Sequence, residues 1–203
     1  SILLCLSMIL MMASCSGVKE TKPSTEAFVV GFSQVGSESD WRVANTKSMA
    51  AAFENDDEYE FLMENARQEQ ENQFTAIRRF ILEGVDFIVI APTVEEGWDT
   101  ILAEIRDANI PVIIIDRSVA VEDDSLYLTN IGSDFLQQGK LAVEWIENDT
   151  PSDKELKILH LQGTIGATAQ IQRTKALEDA VRTHSNWKIV SQLYGDFTEA
   201  KAY

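Results

Sequence analysis

The chain has 203 residues, with 17 Lys plus Arg against 33 Asp plus Glu, for a formal net charge of −16. That balance argues against nucleic acid as a partner, because phosphate binding needs clustered cations, and against docking on an anionic leaflet. A hydrophobic content of 45% with 25% charged residues excludes a largely disordered chain and allows one or two domains with cores of useful size.

Residues 2–14 read ILLCLSMILMMAS and carry no charge. The run is shorter than the roughly 20 residues that span a bilayer, and it fits the apolar region of a secretory signal. It ends Met12-Ala13-Ser14-Cys15, small residues before a cysteine. That ending resembles a bacterial lipobox, in which Cys15 carries the lipid and becomes the mature N-terminus. Ordinary cleavage, or an apolar segment with an incidental cysteine, is the plainer alternative. Cys5 lies in the segment to be removed, so no thiol remains for disulfides, zinc sites or thiol catalysis. Thr21 to Glu26 reads as a tether.

From Ala27 onward short apolar runs alternate with helical periodicity. Ala27 to Phe32 is a buried-strand candidate, followed by a helix from about Asp40 to Glu54. Phe61-Leu62-Met63 is a weaker strand after the acidic stretch Glu54 to Glu60, which reads as a solvated helix end and loop. In Gln68 to Leu82, the spacing of Phe74, Ile77 and Ile81 gives one apolar helical face. Phe87 to Ile90 is a strand closed by Ala91-Pro92, and Trp98, Ile101, Leu102 and Ile105 mark the next helix. Pro111 to Ile115 is the clearest buried strand, and Leu126 to Ile131 is extended. Phe135, Gly139, Ala142, Val143 and Ile146 form a helical stripe. Leu156 to Leu161 is a strand, Arg173 to Val181 a helix facing inward through Leu177, Ala180 and Val181, and Trp187 to Leu193 a last strand. Wholly apolar strands between amphipathic helices predict an α/β fold with doubly wound parallel sheets. The chain stops at Tyr203 where another helix would start, which reads as a truncated protein.

Ligands of open α/β sheets bind beyond the carboxyl ends of the strands. Glu38, Ser39, Trp41 and Arg42 follow the first strand, Asp116 and Arg117 the Val112 strand, Arg173 the Leu156 strand and its loop, and Phe197 the last strand. Each has a bland alternative. Trp41 could plug a helix start, Asp116-Arg117 could form a surface turn, Arg173 could be a solvated helix residue and Phe197 could be core. Their shared position at strand ends is what points to a cleft. An indole covers the apolar face of a sugar ring, a carboxylate accepts from hydroxyls, and a guanidinium donates through a planar fork.

Signatures of catalysis are absent. Gly163-Thr164-Ile165-Gly166 lacks the Gly-Lys-Ser/Thr of a phosphate loop, and no Gly-x-Gly-x-x-Gly follows the first strand. Gly36 to Asp40 is not a nucleophile elbow. His160 and His184 are not at metal-ligand spacing, so the expectation is no catalytic set, no metal and no cofactor.

GFSQVGSESDWR (31–42), Ile90-Ala91-Pro92-Thr93, Pro111 to Arg117 and LQGTIGATAQIQR (161–173) resemble the type I periplasmic sugar-binding proteins of ABC importers, above all the galactofuranose-binding branch, with ribose binders as cousins. The resemblance runs from about Ala27 to Tyr203. It implies two α/β lobes, residues 27–132 and an incomplete second lobe from 133 to 203, behind a signal and tether over 1–26. It implies a neutral monosaccharide bound between the lobes and handed to an ABC permease, with Trp41 stacked on the ring. Arg42, Asp116, Arg117 and Arg173 would bind hydroxyls or the ring oxygen, Phe197 would form an aromatic wall, and Ser39 or Glu38 would add a contact. Ala91 stands where ribose binders have Asn, and Trp41-Arg42 where they have a double aromatic; both departures point away from ribose. The implied protein is periplasmic, lipid-anchored and not an enzyme. A sensor input domain, a sugar-processing enzyme and a cytoplasmic repressor are the rivals. They are opposed respectively by Cys15, by the missing catalytic set, and by the signal-like start without a preceding helix-turn-helix.

Overall fold

A computed structural model describes residues 27–203; residues 1–26, which hold Cys15 and the tether, lie outside the described residues. The order is β1 (Phe28–Gln34), α1 (Asp40–Phe53), β2 (Tyr59–Asn65), α2 (Gln70–Glu83), β3 (Phe87–Ile90), α3 (Asp99–Asp107), β4 (Val112–Asp116) and β5 (Thr129–Gly132). Then come α4 (Phe135–Asp149), β6 (Leu156–Gln162), α5 (Thr168–Thr183), β7 (Trp187–Tyr194) and α6 (Glu199–Ala202). The first five strands form one sheet in the order β2-β1-β3-β4-β5, and β6 pairs with β7 in a second. All pairings are parallel.

Alternation along the strands builds the core on both faces of the five-stranded sheet. Ile88, Ile90, Val112 and Ile114 pack with Ile77 and Phe80 of α2 and Ile101, Leu102 and Ile105 of α3. Val30, Phe32 and Val89 face the other way, toward Met49 and Phe53 of α1. Burial on both faces is why these strands read as continuous apolar runs rather than alternating ones. The order places the topological switch point, where the chain reverses the side on which it adds strands, between β1 and β3, the place where ligands of such sheets bind.

Several elements differ from the sequence reading. Helix α5 begins at Thr168, five residues before Arg173; Thr168, Gln170 and Gln172 make its first turn read as a loop although Thr168 and Ala169 are buried. The stretch from Leu126 is not one extended run: Asp124–Leu126 makes a short 3-10 turn before β5. Ala142 of the α4 stripe faces solvent. Trp98 precedes α3, fully buried, with Nε1 donating to the Val94 carbonyl at 2.8 Å.

The second sheet carries α4 and α5, which meet at Gly139. A Cβ there would lie 2.6 Å from Cβ of Ala176 and 3.0 Å from Cα of Arg173, so only glycine permits this approach. The loops that follow the strands of the two sheets touch directly. Glu95 N–H donates to the Gly166 carbonyl at 2.9 Å. Thr168 Oγ1 accepts from Ser118 N–H and Ser118 Oγ, each at 3.1 Å, and donates to the Ser118 carbonyl at 3.0 Å.

Candidate functional site

The carboxyl ends of β1, β4, β5 and β7 and the starts of α1, α4 and α5 enclose a cavity of about 350 Å³, within the range of small-molecule sites. All eight residues singled out from sequence line it: Glu38, Ser39, Trp41, Arg42, Asp116, Arg117, Arg173 and Phe197. Phe135 and Gln138 of α4 complete one wall.

Arg42 sits at the centre, 2% exposed, with each arm of its guanidinium engaged. Nε donates to Glu38 Oε1 at 3.0 Å, Nη1 to Gln34 Oε1 at 3.3 Å and Nη2 to Asp116 Oδ2 at 2.7 Å. Its backbone N–H is capped by Ser39 Oγ at 3.2 Å, so the Ser39 hydroxyl starts α1 as well as lining the cavity. Glu38 is buried, and its Oε2 has no hydrogen-bond partner among the described residues. Asp116 ends β4 in the left-handed region at φ 64°, a conformation Asp tolerates better than most residues, and this turns its side chain toward Arg42. Its Oδ1 accepts no hydrogen bond among the described residues.

Arg117 is held differently. Nη1 donates to the Thr93 carbonyl at 2.6 Å and, more weakly, to that of Pro92 at 3.4 Å. Nε and Nη2 stand 3.9 Å from Asp116 Oδ2 and Glu38 Oε1, beyond hydrogen-bond reach. Burial, reinforced by Arg42, lowers its pKa to about 10 against the pull of Asp116 and Glu38. It is therefore still charged at neutral pH. The combination of two buried guanidinium groups with two carboxylates keeps the interior charges compensated.

The remaining walls are aromatic and cationic. Trp41 is 56% exposed, with the Arg42 guanidinium 4.9 Å from its ring centre. The Arg117 guanidinium lies 5.3 Å from the Phe197 ring centre. The tip of the Phe197 ring, Cζ with Cε1 and Cε2, lies against Gly163, where any Cβ would collide with it. Arg173 donates twice to Gln138 Oε1, at 3.0 and 2.6 Å, and its guanidinium lies 5.0 Å from the Phe135 ring centre. Burial lowers its pKa while Asp116 raises it. Among the described residues no His, Cys, Asp and Glu cluster is placed to hold a metal ion. The arrangement offers hydrogen-bond donors, an acceptor and ring faces, with no nucleophile beside a base.

Gln34, Gln73, Thr93, Ser118, Phe135, Gln138 and Thr168 also shape this region and were not found from sequence as site residues. Ser33-Gln34, polar and yet fully buried at the end of an apolar strand, was a readable signal.

The chain is 39% identical over 193 residues to the galactofuranose-binding protein YtfQ of Escherichia coli (strain K12), covering 95% of this chain and 60% of that protein. It therefore spans about 60% of the length of this curated relative. A Mycobacterium smegmatis structure in complex with β-D-fucofuranose is 41% identical, with a TM-score of 0.81 over 86% of this chain and 58% of the other. The periplasmic binding protein of the arabinose ABC transporter from Shewanella sp. ANA-3, bound to α- and β-L-arabinofuranose, is 44% identical, with a TM-score of 0.79 over 85% and 56%. The periplasmic binding protein domain model matches residues 30–203, and the chain belongs to that family.

Proposed function

We propose that this chain is part of an extracytoplasmic solute-binding protein that captures a monosaccharide and delivers it to an ABC permease. Residues 27–132 form one lobe, residues 133–203 begin a second, and the sugar lies between them. A furanose fits the relatives, which bind galactofuranose, fucofuranose and arabinofuranose. No bond is made or broken; binding favours the closed arrangement, in which both lobes touch the ligand. The protein is anchored by lipid at Cys15, after removal of the segment before it. Among the described residues no helix is long and apolar enough to cross a membrane.

The observation that carries the reading is the open edge of Arg117 beside the free Oδ1 of Asp116. Among the described residues Nε and Nη2 have no acceptor within reach and Asp116 Oδ1 has no donor, whereas the Arg42 guanidinium is paired on every arm and only Glu38 Oε2 is otherwise left without a partner. Two parallel donors next to one acceptor match adjacent sugar oxygens, one of them donating its hydroxyl proton. Trp41 and Phe197 supply the faces that cover the C–H surfaces of a ring. Calorimetry of the full-length protein against galactofuranosides, L-arabinose, D-fructose and D-ribose tests it. Binding of at least one furanose-forming sugar, lost in Arg117→Met, is expected, and no heat with any of them refutes the reading.

A further inference from the structure

Gln73 opens the inward stripe of α2, followed by Ala76, Ile77 and Phe80 at helical spacing, and is 0% exposed. An amide at a position suited to an apolar side chain is costly unless both of its ends are bonded. Both are. Nε2 donates to the Ala91 carbonyl at 2.8 Å, and Oε1 accepts from Thr93 N–H at 2.8 Å and Thr93 Oγ1 at 2.7 Å. The side chain thereby spans the turn after β3, across Pro92, which has no N–H to offer. A rotated amide would set its NH₂ against the Thr93 N–H, so one orientation is selected.

The turn held in this way ends in the carbonyl that grips Arg117 at 2.6 Å, the shortest hydrogen bond that guanidinium makes. Gln73 does not line the cavity. We propose that Gln73 is a positioning residue for ligand binding: it locks the Ala91-Pro92-Thr93 turn, so that the Thr93 carbonyl holds Arg117 with its Nε–Nη2 edge open to the ligand. This rests on the reading of the cavity as a sugar site, and it adds a residue that touches no sugar.

Two measurements on the full-length protein separate positioning from mere support of the core. In the ligand-free protein, the Arg117 Nε–H resonance is assigned by its loss in Arg117→Lys. In Gln73→Met it shifts and exchanges with water at least about tenfold faster, while the Arg42 resonance, held by Glu38 and Gln34, stays in place. An unmoved Arg117 signal overturns the proposal. The second measurement is a double-mutant cycle with L-arabinose. Gln73→Met weakens binding about tenfold in the wild-type background and not at all in Arg117→Lys, because the effect passes through that guanidinium. Losses that simply multiply overturn it. If Gln73→Met does not fold, Gln73→Glu, which keeps the acceptor and loses the donor to Ala91, replaces it in both arms. Absence of L-arabinose binding by the wild type counts against the sugar reading, and the resonance still decides whether Gln73 sets Arg117.

Discussion

Phe197 occupies its place through a glycine elsewhere and strain in its own turn. Asp196 and Phe197 sit at φ 48° and 58°, where side chains other than Asn and Asp are uncommon. The tip of the ring then lies so close against Gly163 that no side chain fits there. Gly163→Ala must expel the ring from beside Arg117. Overpacking of this kind costs about 1–3 kcal/mol, and sugar affinity should drop with it, as calorimetry and thermal unfolding of the same variant would show. Arg117 predicts a pH dependence with a definite sign. Its pKa is lowered in the fold to about 10, so between that value and its higher ordinary one the unfolded chain binds the extra proton. Through this group, stability therefore increases with pH across that window. Ligand binding moves the other way, because the donor edge needs the proton: affinity should fall as the pH rises through about 10, and Arg117→Met, already lacking the edge, should not show that fall.

Helices α4 and α5 act as one unit in presenting Arg173. The glycine-wide approach at Gly139 brings Gln138 and Phe135 of α4 under the Arg173 guanidinium. Gly139→Val should separate the helices, at a cost of about 1–3 kcal/mol, and release Arg173. Lower thermal stability together with weaker sugar binding is expected, whereas Arg173→Lys should weaken binding with little change in the unfolding temperature. The same pair of helices shows what the sequence could and could not reveal. The strands and α2 and α3 were legible because their inward residues are aliphatic and recur at the right spacing. The start of α5 was hidden by Thr168, Gln170 and Gln172, whose polarity suggests a loop. The cavity residues were legible because strand ends mark the ligand side of such sheets, and all eight line one cavity. Gln73 was not, although it stands three and four residues before Ala76 and Ile77 on the buried stripe. A glutamine on a helix reads as solvated until the turn it spans is seen.

At the scale of the whole molecule, the cavity depends on how the two sheets are held together, because Trp41, Asp116 and Arg117 belong to one side while Arg173 and Phe197 belong to the other. Apart from the chain itself, the hydrogen-bonded links among the described residues are the Glu95–Gly166 backbone bond and the Ser118–Thr168 cluster. Thr168 is 2% exposed, and its hydroxyl satisfies three groups of Ser118. Thr168→Val keeps the shape and removes all three bonds, leaving buried polar groups unpaired at about 1–3 kcal/mol. Since every 1.4 kcal/mol is a factor of ten in an equilibrium, that loss is enough to shift the ligand-free protein toward a separated arrangement. The expected result for the full-length protein is a larger radius of gyration by small-angle scattering without sugar, returning to the wild-type value at saturation, with affinity reduced by the closing free energy that the ligand must then supply. Ser118→Ala removes only the hydroxyl and leaves the backbone N–H and carbonyl bonds to Thr168, so it should give a smaller expansion in the same direction. A ligand-free radius unchanged in Thr168→Val would mean that the remaining contacts, among them the Glu95–Gly166 bond and the Arg117–Phe197 pair, suffice to set the approach of the two sheets.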